Sequence, residues 1–540
     1  MLLAAQAATG TPPVDTTVRT AISGSTAADP LRGNGRSTSM LGAQARTAQD
    51  AFEANHRIGL RFYNGGADAT CEVPLGRICY WNNNGDVPPP AERSDAKLER
   101  DALLEVLNRA AAADAADDWV NGMRVRYFIE AEKTDSAVLA ARASAGSAWW
   151  NAALLGLALH NINRHVDATA AFDRALAAMP DAQRCTWTDL TWWLEPASHA
   201  AYRSIPCGAA RDAENARILR LAQPLWLLPS NDLRNEAFAR RTMSRVHSLG
   251  RIPYDLTWGD DLLESQVRYG WPTAWSVQNG GVADPRRKNA RMRYAPRYAS
   301  GFITVPHQIA RFRRGDTTLV AGAYRLVREL EMGRAPYTAS LVFDALDGKP
   351  PVVIRKDSAA AASALLLPMT APTLASLEVF GERGKRATRM RTTVQPLPRD
   401  ARLSDYLLLQ RGDPTVNPSL ERNAAQAYGS LEIEKGATVG LYWEMYREAS
   451  PGAPLDIQVR ALRLGASLGQ RLGNFLGLSK AIQPVAIRYK DNGRPDGQPG
   501  RSITLNFPPV AAGDYQLTLT VSGGGISDST SQVIRVRGER

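Results

Sequence analysis

The hydrophobic period of this 540-residue chain switches once, near residue 300, and that switch limits the architectures open to it. From about 46 to 250, apolar residues recur at helical spacing in Ala/Leu/Arg runs such as "AKLERDALLEVLNRAAAADAADDWV". The stretch "CEVPLGRICYWNNNGDVPPP" interrupts them, because its Pro and Asn content forbids helix. Downstream the period is two. "TTLVAGAYRL", "YTASLVFDAL", "PVVIRKD", "ASLEVFGE" and "ATRMRTTVQPL" read as short strands parted by Gly, Pro and Asp turns. A second set, running from "GSLEIEKGATVGLYWEMY" to "GDYQLTLTVSG", starts near residue 425. Each set suits an antiparallel sandwich of roughly 100 residues. The expected class is therefore α+β multidomain. A leader over 1–45 precedes a helical domain over 46–215 and a mixed α/β connector over 216–300. Sandwiches over 301–420 and 421–540 complete the chain.

Composition is that of a globular protein, with 44% apolar and 22% charged residues. Net charge is +11, and nine of the 65 basic residues are Lys, a bias toward Arg that is weak evidence for any polyanionic partner. The longest apolar stretch, "AWWNAALLGLALHNI", is too short for a membrane span. The start "MLLAAQAATG" reads as the tail of a secretory signal with an A-x-A-like site at Ala5-Gln6-Ala7, although no charged region precedes it. The four cysteines fall as local pairs, Cys71/Cys79 and Cys185/Cys207, without C-x-x-C spacing and with few His nearby. That pattern argues against zinc and for two disulfides in an exported chain. Loop-closure entropy assigns them about 2.6 and 3.4 kcal/mol. Four free thiols in a cytoplasmic protein are the alternative.

One helical hairpin, "WWNAALLGLALHNINRHVDATAAFDRALAAMP", is more specific than the rest. Leu155, Gly156, Ala168, Phe172, Ala175 and Pro180 fall at the spacing of a tetratricopeptide repeat. Gly156 and Ala168 permit close approach of two helices, Phe172 fills the space between them, and Pro180 ends the second. The flanking helices match poorly, so the reading is an irregular helical repeat, a surface type that binds protein segments.

The connector holds "PSNDLRNEAFARR" (229–241) and then "WGDDLLESQVRYGWP" (258–272). Together they resemble the GWxTD domain of exported bacterial proteins of unknown function. Asn231, Arg234, Glu236 and Arg240 occupy its helix positions, Trp258 and Asp261 the Trp and Asp of its name, and Tyr269, Gly270 and Pro272 its terminal corner. Thr257, Asp260, Asp232 and Ala237 depart from the pattern. The resemblance implies an exported protein but brings no activity with it. By alternation, residues 263–269 read as a half-buried strand ending in a Gly270-Trp271-Pro272 corner. Upstream, Ser230 is the expected N-cap, and Glu236 with Arg240 an i,i+4 pair.

Few residues suggest chemistry. Asp260, Asp261 and Glu264 offer paired acids for acid–base work or a divalent cation, set against a corner that only fixes shape. Ser467 sits in a G-x-S-x-G pattern, yet no His follows it, so a nucleophile there is disfavoured. His160 and His165 read as surface or capping residues. "FGERGKRAT" lacks the spacing of a phosphate loop. "RRKNARMRYAPRY" (286–298) and "RFRRGD" (311–316) could meet an anionic envelope component or, less readily, nucleic acid.

The leading expectation is an exported, non-catalytic scaffold of the bacterial envelope. Its tetratricopeptide-like surface would bind a protein partner, its two sandwiches would be immunoglobulin-like, and it would need no cofactor, metal or catalytic residue. The alternatives are an envelope hydrolase or metal-dependent enzyme using the connector acids, and polyanion binding through 286–314.

Overall fold

The computed structural model describes residues 39–538, except 64–70, 76–77, 83–87, 255–257, 279–301, 328–331, 382, 384–385, 411–418, 447–452, 465–484, 492–498 and 508. Helices α1 (Met40–Ile58), α2 (Ser94–Ala113), α3 (Asp118–Glu130), α4 (Thr134–Ala143), α5 (Ala148–Asn161) and α6 (His165–Ala178) each pack on the next. A looser run follows: α7 (Asp181–Trp187), a 3-10 turn (Thr191–Trp193), α8 (Pro196–Arg203) and α9 (Ala209–Ala222). The hairpin α5–α6 closes because Gly156 has no side chain; a Cβ there would stand 2.6 Å from the Phe172 ring. Ala168 and Ala175 are buried in the same seam, Leu155 is half-buried, and Pro180 caps α7 rather than extending α6. Among the described residues no helix is long and apolar enough to cross a membrane.

The connector is not a separate layer. Its helix α10 (Asp232–Leu249) lies across α3, α5 and α6, and Phe238, Met243 and Val246 share one core with Trp150, Leu154 and Phe172. Asn231, not the expected Ser230, caps it: its side chain accepts from the Arg234 amide at 3.0 Å, while Ser230 donates to Asp232. The strand expected over 263–269 is instead helix α11 (Asp260–Tyr269). Its buried residues Leu262, Gln266 and Tyr269 are spaced i, i+4, i+7, Glu264 pairs with Arg268 at 2.7 Å, and two acids open its first turn. Helical pairing and the macrodipole therefore outweigh a chance alternation of polar and apolar residues.

The strand lies just beyond the corner, and its partners are remote in sequence. Strands β1 (Phe62–Tyr63), β2 (Val73–Leu75), β3 (Ile78–Trp81) and β4 (Ala274–Gln278) form one sheet in the order β1-β4-β3-β2, with β1 parallel to β4. The disulfide Cys71–Cys79 staples this sheet, and Cys185–Cys207 ties α7 to the loop before α9. The interrupting stretch of the helical region is thus a hairpin that completes the connector.

Two β sandwiches follow. The first comprises β5 (Phe302–Ile303), β6 (His307–Arg314), β7 (Thr317–Arg325), β8 (Tyr337–Asp344), β9 (Val352–Ala359), β10 (Ala362–Met369), β11 (Thr373–Gly381) and β12 (Arg386–Val394). Sheet β10-β7-β6 faces sheet β5-β12-β11-β8-β9 across a core including Val320, Leu365, Leu341 and Leu377. The second holds β13 (Leu407–Leu409), β14 (Glu432–Glu434), β15 (Thr438–Glu444), β16 (Leu455–Arg463), β17 (Val485–Asp491), β18 (Gly500–Asn506), β19 (Gly513–Gly523) and β20 (Ile526–Arg537), with a short helix α12 (Leu420–Ala425) after β13. Sheet β13-β15-β18 faces sheet β14-β20-β19-β16-β17. Each large sheet begins with a short strand parallel to its last strand; the other pairings within the sandwiches are antiparallel. Because β13 pairs with β15, the second sandwich begins ahead of the boundary expected at 421.

Buried polar contacts join the three parts. Trp226, ahead of α10, lies between the Arg220 and Arg391 guanidinia at 4.4 and 4.1 Å, and Arg220 pairs with Asp344 at 2.6 Å. The fully buried Glu378 accepts from the Leu227 amide at 2.8 Å. Between the sandwiches, Gln308 donates to and accepts from the Leu408 backbone at 2.8 and 2.9 Å.

Candidate functional site

An open cleft of about 570 Å³ runs where the C-terminal end of α1, the start of α2 and the end of α3 meet β4. A second hollow of about 340 Å³ adjoins it and shares Glu130, Glu132, Pro272 and Thr273. Their common rim is the end of α3 on one side and the corner after α11 on the other.

Beneath this rim lies a chain of buried charges. Glu53 on α1 pairs with Arg126 on α3 and accepts from the Tyr127 hydroxyl at 2.6 Å. Arg126 also bonds Glu130 at 2.7 Å, one helical turn on, and Arg100 Nη1 donates to Glu92 at 3.0 Å. Burial alone would raise the Glu53 carboxyl; Arg126, His56 and Tyr127 outweigh it and hold the group below its ordinary value of 4.5. A carboxylate and a guanidinium so placed are stable as a pair and costly apart.

A second chain ties α10 to the corner. Arg240 donates to Glu236 at 2.6 Å and to the Val267 and Arg268 carbonyls at 2.8 and 2.9 Å. Those carbonyls lie in the last turn of α11, which has no intrahelical donors for them. Glu236 meets His160 at 2.6 Å; Gln266 bonds His247 at 2.9 Å and donates to the Arg240 carbonyl at 3.2 Å. His160, expected at the surface, is therefore buried, because the Glu236 carboxylate gives its ring a partner inside the helical layer. At Gly270, φ is +95°, so the left-handed turn is what calls for glycine; a Cβ there would meet the Arg240 guanidinium only at an ordinary contact distance of 3.7 Å.

The residues that carry the GWxTD resemblance thus have distinct positions. Asn231 caps α10, and Arg234 pairs with Asp173 and covers the Phe238 ring at 4.8 Å. Trp258 packs against His247 at 5.4 Å, near the cluster of Tyr254, Leu262, Tyr269 and Trp275. Glu236, Arg240, Tyr269, Gly270 and Pro272 all line the smaller hollow. The acids do not gather there. Asp260 and Asp261 are exposed in the first turn of α11, Glu264 is tied to Arg268, and none of the three lines either hollow. Among the described residues no group of three or more His, Cys, Asp or Glu is placed to hold a metal ion.

Of the basic stretches, 286–298 lies outside the described residues, as do Ser467 and Ala5-Gln6-Ala7. Residues 311–314 end strand β6, and their cations have partners. Arg311 pairs with Asp405 at 2.7 Å, Arg314 with the buried Glu444 at 2.6 Å, and Arg313 covers the Tyr446 ring at 4.4 Å. These arginines hold the two sandwiches together.

Sequence reasoning missed Glu53, Arg126, Tyr127, Glu130 and His247. The available signal was "RVRYFIE", where Arg126 and Glu130 stand four apart on a helix otherwise too apolar for a solvated face. Burial, with the nearby Arg126 charge, pushes the His247 pKa down to about 3 from 6.5. Between those values the unfolded chain binds one more proton than the folded chain, so stability falls as pH falls through this window. At pH 5 His247 is expected to cost about 2 kcal/mol relative to pH 7.5. Urea unfolding of His247→Asn, followed by far-ultraviolet circular dichroism, should lack that increment; an unchanged pH slope refutes the assignment.

No protein-family model matches this chain, and no curated protein does. Among solved structures, the crystal structure of chicken CNTN1 FN1-FN3 domains aligns with 43% of this chain and 66% of its own length, at 8% identity and a TM-score of 0.16. At that score the likeness carries no argument.

Proposed function

We propose that this chain is an exported, non-catalytic interaction protein of the bacterial envelope, akin to GWxTD-domain proteins, whose cleft receives an extended segment of a protein partner. The observation that carries the reading is the use made of the motif. Arg240, Glu236 and Gly270 shape the wall of a hollow, and the polar groups of Arg240 and Glu236 are engaged with one another, with backbone and with His160. The cleft continues past the exposed Ile58 and past Pro89 and Pro90, an apolar flank suited to an extended chain. In this reading α5–α6 is an irregular tetratricopeptide-like unit and the sandwiches are immunoglobulin-like. Two disulfides and the lack of a membrane-length helix among the described residues fit export.

Photo-cross-linking in intact cells tests this. A benzophenone side chain at Thr273 or Lys97, both exposed on the cleft, is expected to capture the same partner, and one at Ser529 on the far sandwich is not. Capture only through Ser529, or none at either cleft position, refutes the reading.

A further inference from the structure

Resting on the cleft as the partner-binding surface, we infer that its smaller hollow takes an arginine side chain of the bound segment, stacked on Trp271 with its charge at Glu132. The chain's own tryptophans supply the chemical precedent. Guanidinium groups cover Trp119, Trp192, Trp193 and Trp226 at distances from 4.1 to 5.9 Å. Trp271 is half-buried, lines the smaller hollow, and among the described residues has no cation or second ring against it.

The carboxylates of that hollow differ in the same way. Glu130 is paired with Arg126, and Glu236 with Arg240 and His160. Glu132 lies on the rim shared by both hollows, is exposed, and among the described residues has no ion pair. Its backbone is left-handed, with φ 58°, at the cap of α3 where Lys133 bonds back to the Phe128 carbonyl. The corresponding cap of α5 uses Asn163 at φ 61°, the side chain expected there. An aromatic side chain, a carboxylate without an ion pair, and the hydroxyl of Thr134 lining one concavity together fit a planar, multidonor cation. A guanidinium satisfies stacking and several hydrogen bonds at once; an ammonium supplies charge without the flat face.

The test uses the purified full chain and pooled octapeptides with randomised flanks and a fixed central arginine, lysine or citrulline. Citrulline keeps the shape and removes the charge. The arginine pool is expected to be retained about tenfold more than the citrulline pool, with lysine between them. Glu132→Gln and Trp271→Leu should each abolish most of that preference. Glu132→Asn keeps the fold and is expected to raise the melting temperature, since asparagine tolerates the left-handed cap, while still losing the arginine preference. A variant that is more stable yet binds less separates a ligand contact from a structural one. Equal retention of arginine and citrulline pools overturns the arginine assignment while the cleft reading stands. If, in addition, no pool cross-links to a benzophenone at Thr273, the cleft reading falls with it.

Discussion

Arg126→Met is expected to destabilise the helical region by about 3–5 kcal/mol, because it strands the Glu53 carboxylate in a nearly water-free position. The double variant Glu53→Leu/Arg126→Met should recover most of that loss, since an apolar pair of similar volume removes the desolvation penalty along with the attraction. The pH dependence gives a sharper signature. In the native chain Glu53 titrates below its unfolded value of 4.5, so its contribution is present above that value and is lost as pH falls through the lower, folded one. Without Arg126 the chief influence left is burial, which raises the carboxyl, so the sign reverses. The Arg126→Met deficit should shrink from pH 8 to pH 5 as Glu53 takes up a proton. Urea unfolding at both pH values, followed by circular dichroism, measures it; a deficit that grows toward pH 5 contradicts the assignment.

Arg240→Met should cost a comparable amount, about 3–5 kcal/mol, for a different reason. One guanidinium serves Glu236 and two carbonyls of the last turn of α11, so its loss leaves a carboxylate and two buried acceptors short of donors. Arg240→Lys should rescue little, because a single ammonium lacks the fork that reaches Glu236 and the carbonyls together. Thermal unfolding of both variants, with wild type as reference, checks the ranking.

The sequence made some of this legible and hid the rest for physical reasons. The switch of period near residue 300 separated helices from strands because each sandwich alternates buried and exposed residues, as β16 does along Leu455–Arg463. The cysteine pairs were readable because each disulfide closes a local loop. The hairpin α5–α6 was readable because the missing side chain at Gly156 leaves the room that the Phe172 ring fills. The stretch 260–269 was misleading: over about two helical turns, Leu263, Val267 and Tyr269 alternate by accident, and the pair Glu264–Arg268 was the stronger signal. Pairing of Ile78–Trp81 with Ala274–Val277 left no local trace, since nearly two hundred residues separate the partners. The leucine-rich strand Ala362–Met369 and the arginine-rich strand His307–Arg314 were missed because propensity and charge pointed elsewhere, while pairing with β7 decided the outcome. The candidate site was legible as a list of motif residues, not as a cleft, because Glu53, Arg126 and Glu132 come from outside the motif.

The central claim is that the motif fixes the corner forming one wall of the cleft. Hydrogen exchange at that corner tests it most directly, since Gly270 N–H bonds the Gln266 carbonyl at 2.9 Å and Thr273 N–H the Trp81 carbonyl at 2.7 Å. In Arg240→Met both amides should exchange at least about tenfold faster, while Val459 and Leu519 in the far sandwich keep their rates. Unchanged protection of Gly270 and Thr273 in a folded Arg240→Met chain would contradict the claim.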